Sequence, residues 1–313
     1  MLESVTRPVK ALAYGTALFS FCSLLNVVQV FSLLIRPFSK RLFFELNARV
    51  AGSMWKVMQM IMEKKHKAVI TFSGDKIPHR ESAIVFGNHR SFVDFYMFHS
   101  VAARRGMVNY MKYFAKDSLK YIPFYGWGMW IMGMLFINRN WQQDQIKINK
   151  MFSRILDIQA PVWVASFLEG SRLTPSKLAA SQKFMMGRGL PLLSNVMMPR
   201  TKGFITCVNK FRGTHVKCVY DFTFAYYHKT KGFGVPPDLV RVHTGDLSPE
   251  YKFHVHVRRY QIDDLPKDEE KLSEWVVEKY TEKDAFLEKM KDNWTDDIEG
   301  GVWSEKWDDW YKL

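Results

Sequence analysis

Residues 11–35, ALAYGTALFSFCSLLNVVQVFSLLI, carry no charged side chain for twenty-five positions. A helix of that length reaches ~37 Å, enough to cross a hydrocarbon core of ~30 Å. The segment is expected to be a membrane anchor. A secretory signal is the competing reading, with Arg7 and Lys10 in front. Signal cores are shorter, however, roughly 7–15 residues, and no small-residue cleavage site follows before Arg36-Pro37. Asn26 and Gln29 lie within one turn of each other, so the segment either sits shallow or turns this stripe toward another helix.

Residues 41–65 place Leu42, Leu46, Val50, Val57 and Ile61 at helical spacing among basic residues. This fits an interfacial helix or an ordinary core-facing one. From residue 68 the pattern changes to short apolar runs separated by helical stretches: AVITF (68–72), SAIVFG (82–87), MVNYMKY (107–113), MLFIN (134–138), PVWVASF (161–167) and HVKCVYDFTFAYY (215–227). Strands alternating with helices predict an α/β domain with a mixed, largely parallel sheet. FHVHVRR (253–259) alternates at period two and is expected to be half-exposed. Residues 262–290 are helical in pattern, and an acidic, Trp-rich tail closes the chain. The division expected is 1–66, membrane anchor and interfacial helix, and 67–313, the α/β domain with its acidic helical tail.

With 47% hydrophobic and 24% charged residues the chain has ample material for a core. Cys22, Cys207 and Cys218 are too few for a disulfide framework and have no zinc-ligand spacing; no metal site is expected. The net charge of +14 calls for an anionic partner. Residues 261–313 hold 8 Lys+Arg against 17 Asp+Glu, so the basic excess lies in the first 260 residues. There it is scattered between apolar stretches, and no zinc-finger, RRM or basic-zipper signature occurs, which argues against nucleic acid and leaves lipid or a phosphorylated substrate. The basic residues after residue 36 weakly place the following domain in the cytosol.

In parallel sheets functional side chains gather just past the strands' carboxyl ends. Past SAIVFG comes NHRSFVDF, and of the nine histidines only His89 has an aspartate five positions on, Asp94. Five residues of ideal helix rotate ~140°, so the two can meet only with His89 in the strand-to-helix turn and Asp94 in the first helical turn. Ser91-x-x-Asp94 fits such a helix start. The same pattern also suits a turn histidine beside a helix-capping aspartate. Past PVWVASF comes LEGSR, where Gly170 permits a sharp turn and Glu169 and Arg172 project from a strand end. Arg139 follows MLFIN, and Lys116 lies in the polar turn AKDSLK. Each is an ordinary solvated charge or a phosphate ligand; guanidinium offers two parallel donors to phosphate oxygens.

Four ordered motifs resemble the 1-acyl-sn-glycerol-3-phosphate acyltransferase family, eukaryotic microsomal branch. NHRSFVD (88–94) is similar to its His-x4-Asp block, GMLFINR (133–139) to its second block, FLEGSR (167–172) to Phe-Pro-Glu-Gly-Thr-Arg, and VMMPRTKGF (196–204) to its fourth. Leu168 and Ser171 depart from the usual Pro and Thr without removing a charge. The resemblance implies a glycerolipid acyltransferase fold and transfer of an acyl chain from acyl-CoA to the sn-2 hydroxyl of lysophosphatidic acid. It implies His89 as base, Asp94 as its partner, and Lys116, Arg139, Glu169, Gly170 and Arg172 around the acceptor phosphate. No cofactor beyond the acyl-CoA co-substrate is implied, and the endoplasmic reticulum membrane is the implied location. The rivals are a remodelling acyltransferase using another lysophospholipid, such as lysophosphatidylinositol or lysocardiolipin, and a noncatalytic lipid-binding protein. PFYGWGMWIMGMLFI (123–137) is read as core packing or as lining for an acyl-chain groove.

Overall fold

The β-branched and aromatic runs of the central chain form one eight-stranded sheet in a computed structural model that describes residues 2–138, 141–296, 298 and 300–305. The strands are β1 (Ile70–Gly74), β2 (Ala83–Gly87), β3 (Met111–Lys116), β4 (Leu135–Ile137), β5 (Trp163–Ser166), β6 (Cys218–His228), β7 (Gly232–Phe233) and β8 (Tyr251–Gln261). Their order is β1-β8-β6-β2-β5-β3-β4, with β7 folded back on β6. The pairs β6–β2–β5–β3–β4 and β1–β8 are parallel, whereas β6 meets β8 and β7 antiparallel. The sheet is thus mixed and largely parallel, with helices on both faces. Val93–Arg104 (α3) supports one face, and Trp141–Asp157 (α5), Lys202–Phe211 (α7) and Glu269–Asn293 (α9) line the other.

Two local readings change. Residues 107–110 do not extend the third strand, because Val108–Tyr110 close a 3-10 turn and β3 starts at Met111. More instructive is FHVHVRR: its strand β8 is central, not half-exposed, since β1 and β6 flank it. Its polar face is covered by α9, with Phe286 stacked on His256 at 4.3 Å and Trp294 edge-on to His254. Ser73 serves both rings, at 2.8 Å from His254 Nε2 and 2.8 Å from His256 Nδ1. Hydrogen-bonded imidazoles therefore occupy positions that alternation alone assigns to solvent. Part of the acidic tail also pairs: Trp303 exchanges backbone hydrogen bonds with Phe72 on the outer edge of β1. Residues 306–313 of that tail lie outside the described residues.

A buried ion pair fastens α9 beneath the sheet. Lys283 Nζ contacts Asp221 Oδ1, Phe222 O at 2.6 Å and Thr223 Oγ1 at 3.3 Å, with both charged side chains essentially inaccessible. Burial lowers the lysine and raises the aspartate, and each opposes the shift of the other. Removing one partner strands the other charge in low dielectric. Lys283→Met is expected to lose about 3–5 kcal/mol of stability. Pairing it with Asp221→Leu should restore most of the loss, measured by denaturant unfolding in detergent.

The amino-terminal segment forms α1 (Leu2–Ser32), of which Arg7–Ser32 is long and apolar enough to cross a membrane, with only 6% of its most apolar window buried. From Arg7 onward it touches the rest of the protein at several points. Arg7 pairs with Asp238, Tyr14 meets the rings of His66 and His243, and Phe19 lies edge-on to Phe124. Asn26 and Gln29 are buried, and Gln29 Nε2 donates to Gly128 O at 3.3 Å. Gly128 is required for that approach, because a Cβ there would sit 2.6 Å from Gln29 Oε1. Residues 40–60 form α2 (Lys40–Met60), which continues as a π turn, Ile61–Lys65. Of the predicted stripe only Val50 and Ile61 are buried; Leu42 is exposed. The face packed inward is instead small and polar, with Asn47, Ala48, Ala51 and Gln59 around Trp55.

Candidate active site

The four parallel neighbours β2, β5, β3 and β4 end along one edge, and the segments carrying the predicted residues leave from there. His89 follows β2, Glu169, Gly170 and Arg172 follow β5, and Lys116 ends β3. Arg139 follows β4 but lies outside the described residues. Strand order, not sequence order, thus brings the first and third motifs side by side.

At the end of β2, Asn88 exchanges hydrogen bonds with the backbone of Phe224, 2.9 Å and 2.7 Å, which anchors the turn to β6. His89 lies in that turn and Asp94 in the first turn of α3, and His89 Nδ1 is 2.8 Å from Asp94 Oδ2. The same oxygen accepts from the amides of Arg90 (2.6 Å) and Ser91 (2.8 Å), while Oδ1 accepts from Tyr226 Oη at 2.5 Å. Asp94 is fully buried, whereas the His89 side chain keeps 13% of its surface exposed. A carboxylate held this way takes the Nδ1 proton in a hydrogen bond and leaves Nε2 as the free acceptor. The imidazole stacks on Phe167 with centroids 3.9 Å apart and planes at 9°, and Phe95 meets it edge-on. Burial beside Asp94 holds the Tyr226 phenol well above its ordinary pKa, so it stays a donor.

Glu169 is placed differently from a phosphate ligand. Its side chain is buried; Oε1 accepts from the amide of His89 at 2.7 Å and Oε2 from that of Met197 at 3.0 Å. It ties the first motif to the fourth. Burial pushes this carboxyl up to about 8, with the Asp94 charge adding to the rise and the two amides opposing it. Two backbone bonds close the same joint: Leu173 N to His89 O and Arg200 N to Leu168 O, each 2.7 Å.

Gly170 has φ +71°, a conformation that favours glycine, and a Cβ there would lie 3.1 Å from Cδ and Nε of Arg200. The Arg200 side chain therefore lies over the turn that delivers Arg172. Arg172, Arg200 and Lys116 are exposed. Sequence reasoning passed over Arg200, although it stands inside the fourth motif, and Tyr226, whose strand shows no pattern that would single it out. Among the described residues no group of three or more His, Cys, Asp or Glu could hold a metal ion.

A His–Asp pair at the carboxyl edge of such a sheet, beside a turn bearing exposed arginines, can supply acid–base chemistry next to an anionic group. Comparisons with known proteins supply the class, an acyltransferase. The family model described as Acyltransferase matches residues 69–223, and Acyltransferase C-terminus matches 248–300. The chain is 34% identical over 280 residues to 1-acyl-sn-glycerol-3-phosphate acyltransferase 2 of Brassica napus, covering 88% of this chain and 70% of that one. Against the human 1-acyl-sn-glycerol-3-phosphate acyltransferase gamma it is 32% identical over 268 residues, covering 84% and 69%. The crystal structure of the 1-acyl-sn-glycerophosphate (LPA) acyltransferase PlsC from Thermotoga maritima is similar in fold, with TM-score 0.51 and 15% identity, covering 92% of this chain and 98% of that one. The chain belongs to the 1-acyl-sn-glycerol-3-phosphate acyltransferase family.

Proposed function

We propose that this protein transfers an acyl chain from acyl-CoA to the sn-2 hydroxyl of lysophosphatidic acid, forming phosphatidic acid and CoA. The His89–Asp94 pair, in a chain whose relatives are named for 1-acyl-sn-glycerol-3-phosphate, carries this reading. A secondary alcohol becomes a useful nucleophile as a base takes its proton during attack. His89 Nε2 takes that proton while the hydroxyl oxygen bonds to the thioester carbon; the carbon–sulfur bond then breaks, and the imidazolium returns the proton to the leaving thiolate. Asp94 stabilises the imidazolium through Nδ1 without accepting a proton. Glu169 acts as a positioning residue through the amides of His89 and Met197. Arg172 and Arg200, with Lys116 and Arg139, hold the acceptor phosphate, and Gly170 gives the turn its shape.

A small crevice between α1, α2 and the short helix α4 (Tyr125–Ile131), lined by Leu25, Val50, Met54, Tyr125, Met129 and Met132, lies beside residues 123–137, and we place the acyl-chain groove along that stretch. On the outer side of α4, Trp127 and Trp130 are exposed and continue the apolar surface of α1 through the Phe19–Phe124 contact. This continuity supports α1 lying along the catalytic body within the membrane interface; the basic residues after α1 favour a cytosolic domain, and the family resemblance favours the endoplasmic reticulum.

The test is CoA release from oleoyl-CoA by the reconstituted protein with lysophosphatidic acid, lysophosphatidylinositol, lysophosphatidylcholine and glycerol 3-phosphate. Release confined to lysophosphatidic acid is expected. Preference for another lysolipid would keep the chemistry and replace the acceptor, and no release with any of them would overturn the enzymatic reading.

A further inference from the structure

From Gly170 to Tyr220 the chain runs through nine Lys and Arg without one Asp or Glu. At ordinary composition roughly six acids would fall in a stretch of that length. Its first part is helix α6 (Pro175–Met186), which has a single buried residue, Met185. The tip of this helix and the turn after it expose large apolar groups: Phe184, Met186 and Leu192 are 47%, 60% and 51% accessible. Lys183 and Arg188 are exposed among them, and the Arg188 guanidinium lies over the Phe184 ring at 4.5 Å.

This elbow is firmly rooted. Asp284 Oδ1 accepts from the amides of Ser194, Asn195 and Val196 at 2.9, 2.6 and 3.2 Å, and Gln182 Nε2 donates to Leu193 O at 2.9 Å. Asp284 and Glu288 of α9 are the carboxylates bonded at this root, where they engage the base of the elbow, with Glu288 accepting from Asn195 Nδ2. The other end begins at Leu173, whose amide donates to the carbonyl of His89. A rigid, apolar-tipped and purely basic projection therefore leaves directly from the catalytic turn.

We propose that the elbow, residues 183–192, is a second membrane-docking element. It seats Phe184, Met186 and Leu192 at the headgroup–acyl boundary of an anionic bilayer while Lys183 and Arg188 meet headgroup phosphates. A soluble polyphosphate would account for the cations but not for three exposed apolar side chains at one tip. Docked there, the elbow presents the mouth of the His89 turn to the lipid surface, so an acidic lysolipid enters without leaving the bilayer. The idea rests on the acceptor being a membrane lipid, yet it is tested without turnover.

The full chain carrying Cys22→Ser and a nitroxide at Met186→Cys is reconstituted in phosphatidylcholine vesicles with or without phosphatidic acid; Glu274→Cys, exposed on α9, is the aqueous reference. With phosphatidic acid present, the Met186 label should collide more with oxygen than with a water-soluble nickel chelate. Lys183→Glu/Arg188→Glu should return it to the aqueous value. The same pair should lower turnover of vesicle-borne lysolipid several-fold more than turnover of a short-chain monodisperse acceptor. A Met186 label as water-accessible as Glu274 in anionic vesicles would overturn the proposal. So would protection of the label by CoA without vesicles, which would assign the basic tract to a soluble phosphate. If no acceptor is turned over but the label still inserts, the docking stands and the acyltransferase reading falls.

Discussion

His89→Ala is expected to lower turnover by about 10²–10⁴-fold, the usual contribution of a positioned general base, with the protein still folded. The fold should survive because the residue's architectural work is done by its backbone. Its amide donates to Glu169 and its carbonyl accepts from Leu173, and neither bond involves the ring. What is lost is the imidazole stacked on Phe167 and hydrogen-bonded to Asp94. Acceptor affinity should therefore change little, and the fall should appear in kcat. Asp94→Asn gives the complementary result. An amide has a single acceptor oxygen, so it keeps either the Tyr226 bond or the Arg90 and Ser91 amide bonds but not both, and it cannot stabilise an imidazolium as a carboxylate does. Single-turnover acylation with circular dichroism on the same samples separates loss of chemistry from loss of structure. Parental rates for His89→Ala would remove the base from the mechanism and revive a binding-only role.

The parts of this arrangement that are local were legible in the sequence. The strand runs were readable because β-branched and aromatic residues cluster between turns, and the Asn26–Gln29 stripe because helical spacing puts both on one face. The parts that depend on strand order were not. His254 and His256 alternate with apolar residues as a solvent-facing pair would, and only the docking of α9 reveals that their face is covered. Tyr226 reaches Asp94 across 132 residues of chain. No spacing rule operates at such a distance. Glu169 was visible as a charged residue at a strand end, but its two amide partners belong to two other loops, and no spacing in the sequence ties it to them. Arg200 was hidden for the opposite reason. One arginine among many gains meaning only when Gly170 is found beneath it.

The second large effect is expected in acceptor recognition at the turn that carries Gly170 and Arg172. The Arg172→Ala enzyme is expected to lose roughly 2–5 kcal/mol of transition-state binding, about thirty-fold to several-thousand-fold in kcat/KM for lysophosphatidic acid. The loss should be much smaller for an acceptor without the phosphate monoester. Arg172 leaves a turn locked on both sides by Leu168 O and Leu173 N, so its departure point is well defined even though its tip is exposed. Arg172→Lys keeps the charge but not the two parallel donors, and it should recover only part of the loss. Arg200→Ala should lower kcat/KM for the same acceptor, and Gly170→Ala should mimic it, because the added methyl drives against Cδ and Nε of Arg200 and cannot sit easily at φ +71°. The comparison that decides is the acceptor dependence. If Arg172→Ala slows phosphate-bearing and phosphate-lacking acceptors equally, the arginine supports the turn and does not bind the phosphate; selective loss with the phosphate-bearing acceptor assigns the clamp.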